Sequence, residues 1–177
     1  AYVRALQYAN ATGRVEPDVR ERFQVGTLEN PLFPGLFERA SMTVGGSILS
    51  AELASRGHVV FHPTGGTHHG RADRASGFCY FNDPVFAILT FLREGSRSVL
   101  YIDLDAHHGD GVEDAFLDEP RVTTLSIHEA ERWPFSGTHS RPDDGVYNLA
   151  VPSGINDTEF EFLVDRVVLP LVDAVQA

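Results

Sequence analysis

Between Asp103 and Asp110 the chain places three carboxylates and two histidines in eight residues, directly behind the apolar run Val99, Leu100, Tyr101 and Ile102. An uninterrupted apolar run bounded by polar residues is the pattern of a strand buried on both faces, as in parallel sheets. Ser98–Leu104 is therefore expected as the central strand. The acidic and imidazole groups then gather at its carboxyl end, where open α/β sheets bind ligands. Asp105 and His107 are two residues apart, so on an extended backbone they project to one side. A carboxylate oxygen and a neutral imidazole converging there supply two of the three protein ligands of a catalytic zinc site. A buried Asp103 is costly unless paired. Asp103, Asp105 and Asp110 together need counter-charges, which a divalent metal and nearby histidines provide.

A second cluster lies upstream, in TGGTHHGRADRASGFCYF from Thr64 to Phe81. Adjacent histidines point in different directions, so His68 and His69 are unsuited to share one metal and suit an acid/base pair. Each needs a carboxylate to fix its tautomer and tune its basicity; Asp103 and Asp110 are the spare ones. Gly65, Gly66, Gly70 and Gly77 permit tight turns and close approach of backbone to a ligand.

The stretches GGTHHGRADRASGFCYFND, YIDLDAHHGDGVEDAF and TLSIHE together resemble the zinc-dependent histone deacetylase superfamily. That superfamily includes bacterial acetoin-utilisation-type deacetylases and acetylpolyamine amidohydrolases. NPLFPGLFERASMTVGGSILSAELA and GVYNLAVPSGINDTEFEFLVDRVVLPLV extend the resemblance along essentially the whole chain. It implies a three-layer arginase/deacetylase-like α/β fold with a mostly parallel central sheet flanked by helices. It also implies a zinc-dependent amidohydrolase that removes acetyl groups from amines such as acetyl-lysine or an acetylated polyamine.

The resemblance implies roles by position. Asp105 and His107 match zinc ligands, and His68 and His69 the acid/base pair. Asp103 matches the carboxylate behind His68, and Asp110 the one behind His69. Gly77 matches the residue whose carbonyl faces the substrate amide, Phe78 one wall of the acyl-lysine tunnel, and Phe135 the opposite wall. A structural potassium ion is implied at Asp103, Asp105, His107, Ser126 and Ile127. The family's third zinc ligand, an Asp, and its electrophilic Tyr have no match here. Residues 1–177 are thus expected as a single partial catalytic domain, cut at both ends and inactive alone.

Two other readings stay open: a deacetylase-fold protein that binds without catalysis, and a binuclear manganese ureohydrolase. The latter places its next carboxylate two residues after the His of its DxH motif, whereas Asp110 is three after His107.

A formal charge of -11 disfavours nonspecific nucleic-acid binding, which needs basic surface, and suits steering of cationic substrates. No run approaches the roughly 18 apolar residues of a membrane span, and one cysteine, Cys79, excludes an internal disulfide framework. A cytoplasmic protein is expected; oligomeric state is not legible.

Helices are expected at Tyr2–Tyr8, Leu36–Arg56, Asn82–Arg93, where Asn82 is a good N-cap, Gly111–Leu117 and after Asn156, which forms a capping-box pattern with Glu159. Strands are expected at His58–His62, Ser98–Leu104, Arg121–Ile127 and Val146–Val151. A long loop carries Pro17, Pro31 and Pro34. Pro170 should kink the last helix, whose apolar stripe is Phe160, Leu163, Val167 and Leu171. Alternating strands and helices predict a parallel sheet.

Overall fold

Tyr2, Leu6 and Ala9 recur at helical spacing, and all three are buried along α1 (Tyr2–Thr12), which stops where Gly13 turns left-handed at φ 68°. A computed structural model describes residues 1–175 of the chain, in two compact units, Ala1–Phe91 and Leu92 onward.

In the first unit, α1 is followed by α2 (Pro17–Phe23), α3 (Leu36–Ala54) and the start of α4 (Asp83–Arg93). The long loop expected after α1 contains α2. Its start signal is Pro17 in the first turn, where no backbone donor is lost, with Asp18 beside it and Arg20 and Arg22 in the last turn. The core gathers Tyr2, Leu6, Phe23, Val25, Leu36, Ala75 and Tyr80, with Phe33, Phe37 and Phe81 packed on it. Two edge-on ring pairs, Tyr2–Phe81 and Phe33–Tyr80, are both 6.1 Å apart. The strand expected at His58–His62 does not form. Val59 and Phe61 are fully or largely exposed, and among the described residues no strand pairs with the segment. Gly46 on α3 faces His62. A Cβ there would stand 2.3 Å from the imidazole, whose Nε2 contacts the Thr43 carbonyl at 3.0 Å.

In the second unit, β1 (Val99–Asp103), β2 (Val122–Glu129) and β3 (Val146–Val151) form a parallel sheet in that order, with α5 (Asp110–Phe116) between the first two strands. The register sets Asp103 opposite Ser126 and Ile127 opposite Leu149. β2, not β1, is the central strand and the more deeply buried. Val99 to Ile102 are only half-buried because β1 lies at one side of this sheet. Leu125 and Ile127 on β2 anchor the core, each worth about 1.5–3 kcal/mol of burial.

Asn156 opens α6 (Asp157–Leu163) with the expected capping box. Its side chain accepts from the Glu159 N–H, and Glu159 returns the bond to the Asn156 N–H. The helix then passes through a π turn at Val164–Val168 before α7 (Leu169–Val175). Pro170 lacks the N–H that would bond back to Arg166, and the widened turn takes up the irregularity. A π turn adds a residue to the turn and advances the apolar face. Hence Val168, rather than the expected Val167, joins Phe160, Leu163 and Leu171 in the core.

Candidate active site

His68 and His69 lie in a turn of the first unit, almost fully buried. Their rings do not diverge as expected for adjacent side chains; the centroids are 4.0 Å apart, tilted by 50°. Alternation belongs to extended backbone, and a turn releases it.

Gly77 and Phe78 form the two-residue loop of a tight hairpin closed by reciprocal Ser76–Cys79 backbone bonds of 3.1 and 2.8 Å. Both have positive φ, 54° and 63°, as the hairpin twist demands. Phe78 pays a strain of order 1 kcal/mol for that conformation. Two side chains hold it there: Glu29 accepts the Gly77 N–H at 2.8 Å and Asn30 accepts the Phe78 N–H at 3.0 Å. The phenyl ring is consequently thrust outward, 69% exposed. Neither Glu29 nor Asn30 was identified from sequence, since a polar loop residue carries no local sign of a partner 48 positions away.

In the second unit the strand ends at Asp103, so Asp105 and His107 do not stand on extended backbone. They converge through successive Asx turns, in which a carboxylate accepts the N–H two residues on. Asp103 Oδ1 accepts from Asp105 at 3.1 Å, and Asp105 Oδ1 accepts from His107 at 2.7 Å. The same Asp105 oxygen lies 2.9 Å from His107 Nδ1. Asp103 is buried and accepts the Tyr101 hydroxyl at 2.7 Å. Asp110 is buried as the first residue of α5. The Trp133 ring stands edge-on to His107 at 6.3 Å. Among the described residues, no three His, Cys, Asp or Glu side chains converge as a metal site.

Behind this loop runs a buried polar network that sequence reading missed. Ser126 Oγ lies 2.9 Å from His128 Nδ1, and His128 Nε2–H donates to the Gly137 carbonyl at 3.0 Å. His108 Nδ1 meets Ser136 Oγ at 2.8 Å, and His108 Nε2–H donates to Glu113 at 2.9 Å. Glu113 also accepts from Asn148 and Arg141, each at 2.8 Å. Burial pushes the Glu113 carboxyl up, but the bonds from His108 and Asn148 and the Arg141 charge outweigh it, holding the group below its ordinary value. Burial, reinforced by neighbouring His108, pulls His128 down and favours the neutral imidazole. The two rings, 4.8 Å apart, form a pad beneath Gly137. Gly137 has φ 73°, and a Cβ there would stand 2.6 to 2.7 Å from both rings. The pad therefore seats the loop that presents Phe135, itself 72% exposed. Paired His–Ser and His–Glu contacts of this kind have no spacing signature.

Residues 1–176 match the family model described as the histone deacetylase domain. The chain is 43% identical over 146 residues to the acetoin utilization protein AcuC of Bacillus subtilis (strain 168), covering 81% of this chain and 38% of that protein. It is 39% identical over 165 residues to human histone deacetylase 1, covering 88% of this chain and 34% of that protein. A solved histone deacetylase homologue from Aquifex aeolicus superposes with a TM-score of 0.90 at 36% identity, covering 98% of this chain and 49% of that one. A solved homologue complexed with SAHA superposes with a TM-score of 0.88 at 35% identity. The chain thus spans between a third and two-fifths of these curated relatives' length and about half of the solved chains, and it shares their α/β fold. The parallel sheet, the Asp103–Asp110 loop and these matches agree: the chain belongs to the histone deacetylase family.

Proposed function

We propose that the protein containing this chain is a zinc-dependent amidohydrolase that removes an acetyl group from an amine. The observation that carries this reading is the pairing of Asp105 and His107 at the end of β1. Their facing donor atoms are 2.9 Å apart, near the ~3.3 Å that separates two ligands about 2.0–2.1 Å from a tetrahedral zinc ion. Their side chains are 53% and 37% exposed, so the pair adds only about 0–1 kcal/mol to stability. A binding role accounts for it better than a structural one. The donor set, a carboxylate and an imidazole, fits zinc with these two residues as ligands. Bound there, the metal supplies a Lewis acid that polarises an amide carbonyl and acidifies water.

In this reading His69 holds the proton taken from water and returns it to the departing amine, and Asp110 is a further catalytic carboxylate. His68 acts mainly electrostatically, and Asp103 belongs to the same catalytic set. Phe78 and Phe135 offer the apolar walls for an acyl chain, and the Gly77 carbonyl faces the amide. Asp103, Asp105, His107, Ser126 and Ile127 suit a potassium ion; the register that sets Asp103 opposite Ser126 supports the grouping. The acidic chain suits a cationic substrate, an acetyl-lysine peptide or acetylpolyamine, in the cytoplasm. No helix of the described residues is long and apolar enough to cross a membrane.

The test uses the full-length protein with an acetyl-lysine peptide and an acetylpolyamine, alongside metal analysis. Activity with one zinc per chain, both lost in His107→Ala, is expected. Full zinc occupancy in that variant refutes the ligand assignment. Tight binding of acetylated amines without turnover would favour the non-catalytic reading.

A further inference from the structure

We infer that Asn82 and Asp83 are positioning residues for His68 and His69, gripping the turn that carries both imidazoles; this rests on the reading of that pair as acid/base groups. Asn82 and Asp83 sit where α4 begins, 6% and 2% exposed. Asp83 takes the chain ahead of the histidines. Its carboxylate accepts the Gly66 N–H at 3.0 Å and the Thr67 N–H at 2.7 Å. The Ser47 hydroxyl, from α3, donates to it at 2.5 Å. The Thr67 hydroxyl lies 2.5 Å from the same carboxylate and 2.6 Å from the Phe81 carbonyl, with one proton for the two.

Asn82 takes the chain on the other side. Its amide nitrogen donates to the His68 carbonyl at 2.9 Å and the Gly70 carbonyl at 3.0 Å, spending both protons on the groups that flank His69. Its oxygen accepts the Val85 N–H at 3.2 Å and so caps α4. One side chain thus ties the helix start to the histidine turn. Gly70 rides directly on the same backbone. A Cβ there would stand 2.7 Å from the Phe81 carbonyl carbon and 2.8 Å from the Asn82 nitrogen. The segment 66–70 is therefore held by acceptors in front, donors behind and a steric stop beneath.

Such a grip matters for proton transfer. A buried helix cap that served stability alone would need only its oxygen. Here the nitrogen is committed to the backbone of a catalytic turn, and displacement of a proton-transfer group by about 1 Å costs ~100-fold in rate.

Asn82→Asp separates the two duties. Aspartate caps a helix as well as asparagine but cannot donate to the His68 and Gly70 carbonyls when ionised. In the full-length enzyme Asn82→Asp should lower kcat by ~100-fold, leaving KM within about twofold and zinc content unchanged. Protonation at lower pH restores a donor, so its kcat–pH profile should rise towards acid relative to the parent. In a His69→Ala background the same change should cost no more than about twofold, because the main proton-transfer group it positions is gone. The ring 15N signals of His68 and His69 should shift, while that of His58, distant in sequence, should not.

A kcat within threefold of the parent overturns the inference. So does a loss repeated in full on His69→Ala, or unmoved His68 and His69 signals. If Asn82→Asp fails to fold, Asn82→Ser keeps a capping oxygen without charge and carries the same measurements. A parent enzyme inactive on every acylated amine refutes the proposed reaction, and the 15N spectra then still decide whether Asn82 sets the two rings.

Discussion

Removing the Glu113 carboxylate should loosen the loop that bears Phe135. The side chain is 13% exposed and serves three donors, two of them buried: His108 and Asn148 on one oxygen, Arg141 on the other. Glu113→Ala strands the His108 donor and one Asn148 N–H, whose nitrogen keeps its 3.3 Å bond to the His139 carbonyl. Each buried donor left without an acceptor costs ~1–3 kcal/mol, giving a loss of ~2–6 kcal/mol. Arg141 is 43% exposed, so its share is at most ~1 kcal/mol. Glu113→Gln can turn its oxygen towards His108 and Asn148 and its amide towards Arg141. That confines the loss to charge assistance and the exposed contact, ~1–2 kcal/mol.

Urea unfolding of the full-length protein, at unchanged m, measures both variants. There is a pH signature as well. The folded carboxyl titrates below its ordinary value, so its contribution is present above the unfolded pKa of about 4.3 and is lost as pH falls through the folded one. The gap between parent and Glu113→Ala should narrow over that window. Equal losses for the Gln and Ala variants, or a larger loss from Arg141→Ala than from Glu113→Gln, would refute the assignment of the buried donors.

Because the folded pKa of His128 is depressed, its neutral form contributes stability above about pH 6.5, lost as pH falls through the folded value; urea midpoints from pH 8 to 5 should show this, and His128→Asn should flatten it. Gly137→Ala forces a Cβ against two buried rings at φ 73° and should cost ~2–4 kcal/mol, read as a drop in Tm; a change under 1 °C would mean the loop is seated elsewhere. Phe78→Ala should lower kcat/KM about tenfold through lost apolar contact with the acyl chain while Tm holds, since the ring is largely exposed. Asn156→Ala removes both halves of a capping box and should cost ~1 kcal/mol in the urea melt with kcat unchanged.

The elements legible in the sequence were those whose signal is local. The apolar run before Asp103, the cap at Asn82 and the Asn156–Glu159 box all reappear at or near their expected places. A strand's periodicity and a cap's side chain act within a few residues, so the sequence holds them in full. The segment His58–His62 has strand-like residues but no strand beside it among the described residues, and pairing is a property of two segments. The exchange of Val167 for Val168 came from a π turn, whose extra residue leaves no trace in an apolar stripe read at 3.6 residues per turn. Residue types for the chemistry were equally plain in the two histidine motifs. Their geometry was not: Asp105 meets His107 through Asx turns where extended backbone was expected, and the His68 ring lies tilted against His69 where divergence was expected. The buried partners, Asn82 with Asp83, Glu29 with Asn30, and His108 with His128 and Glu113, join positions from 5 to 48 residues apart. No periodicity encodes those pairings. They arise because a buried polar atom must find a partner in space, and only the folded chain decides which one is near.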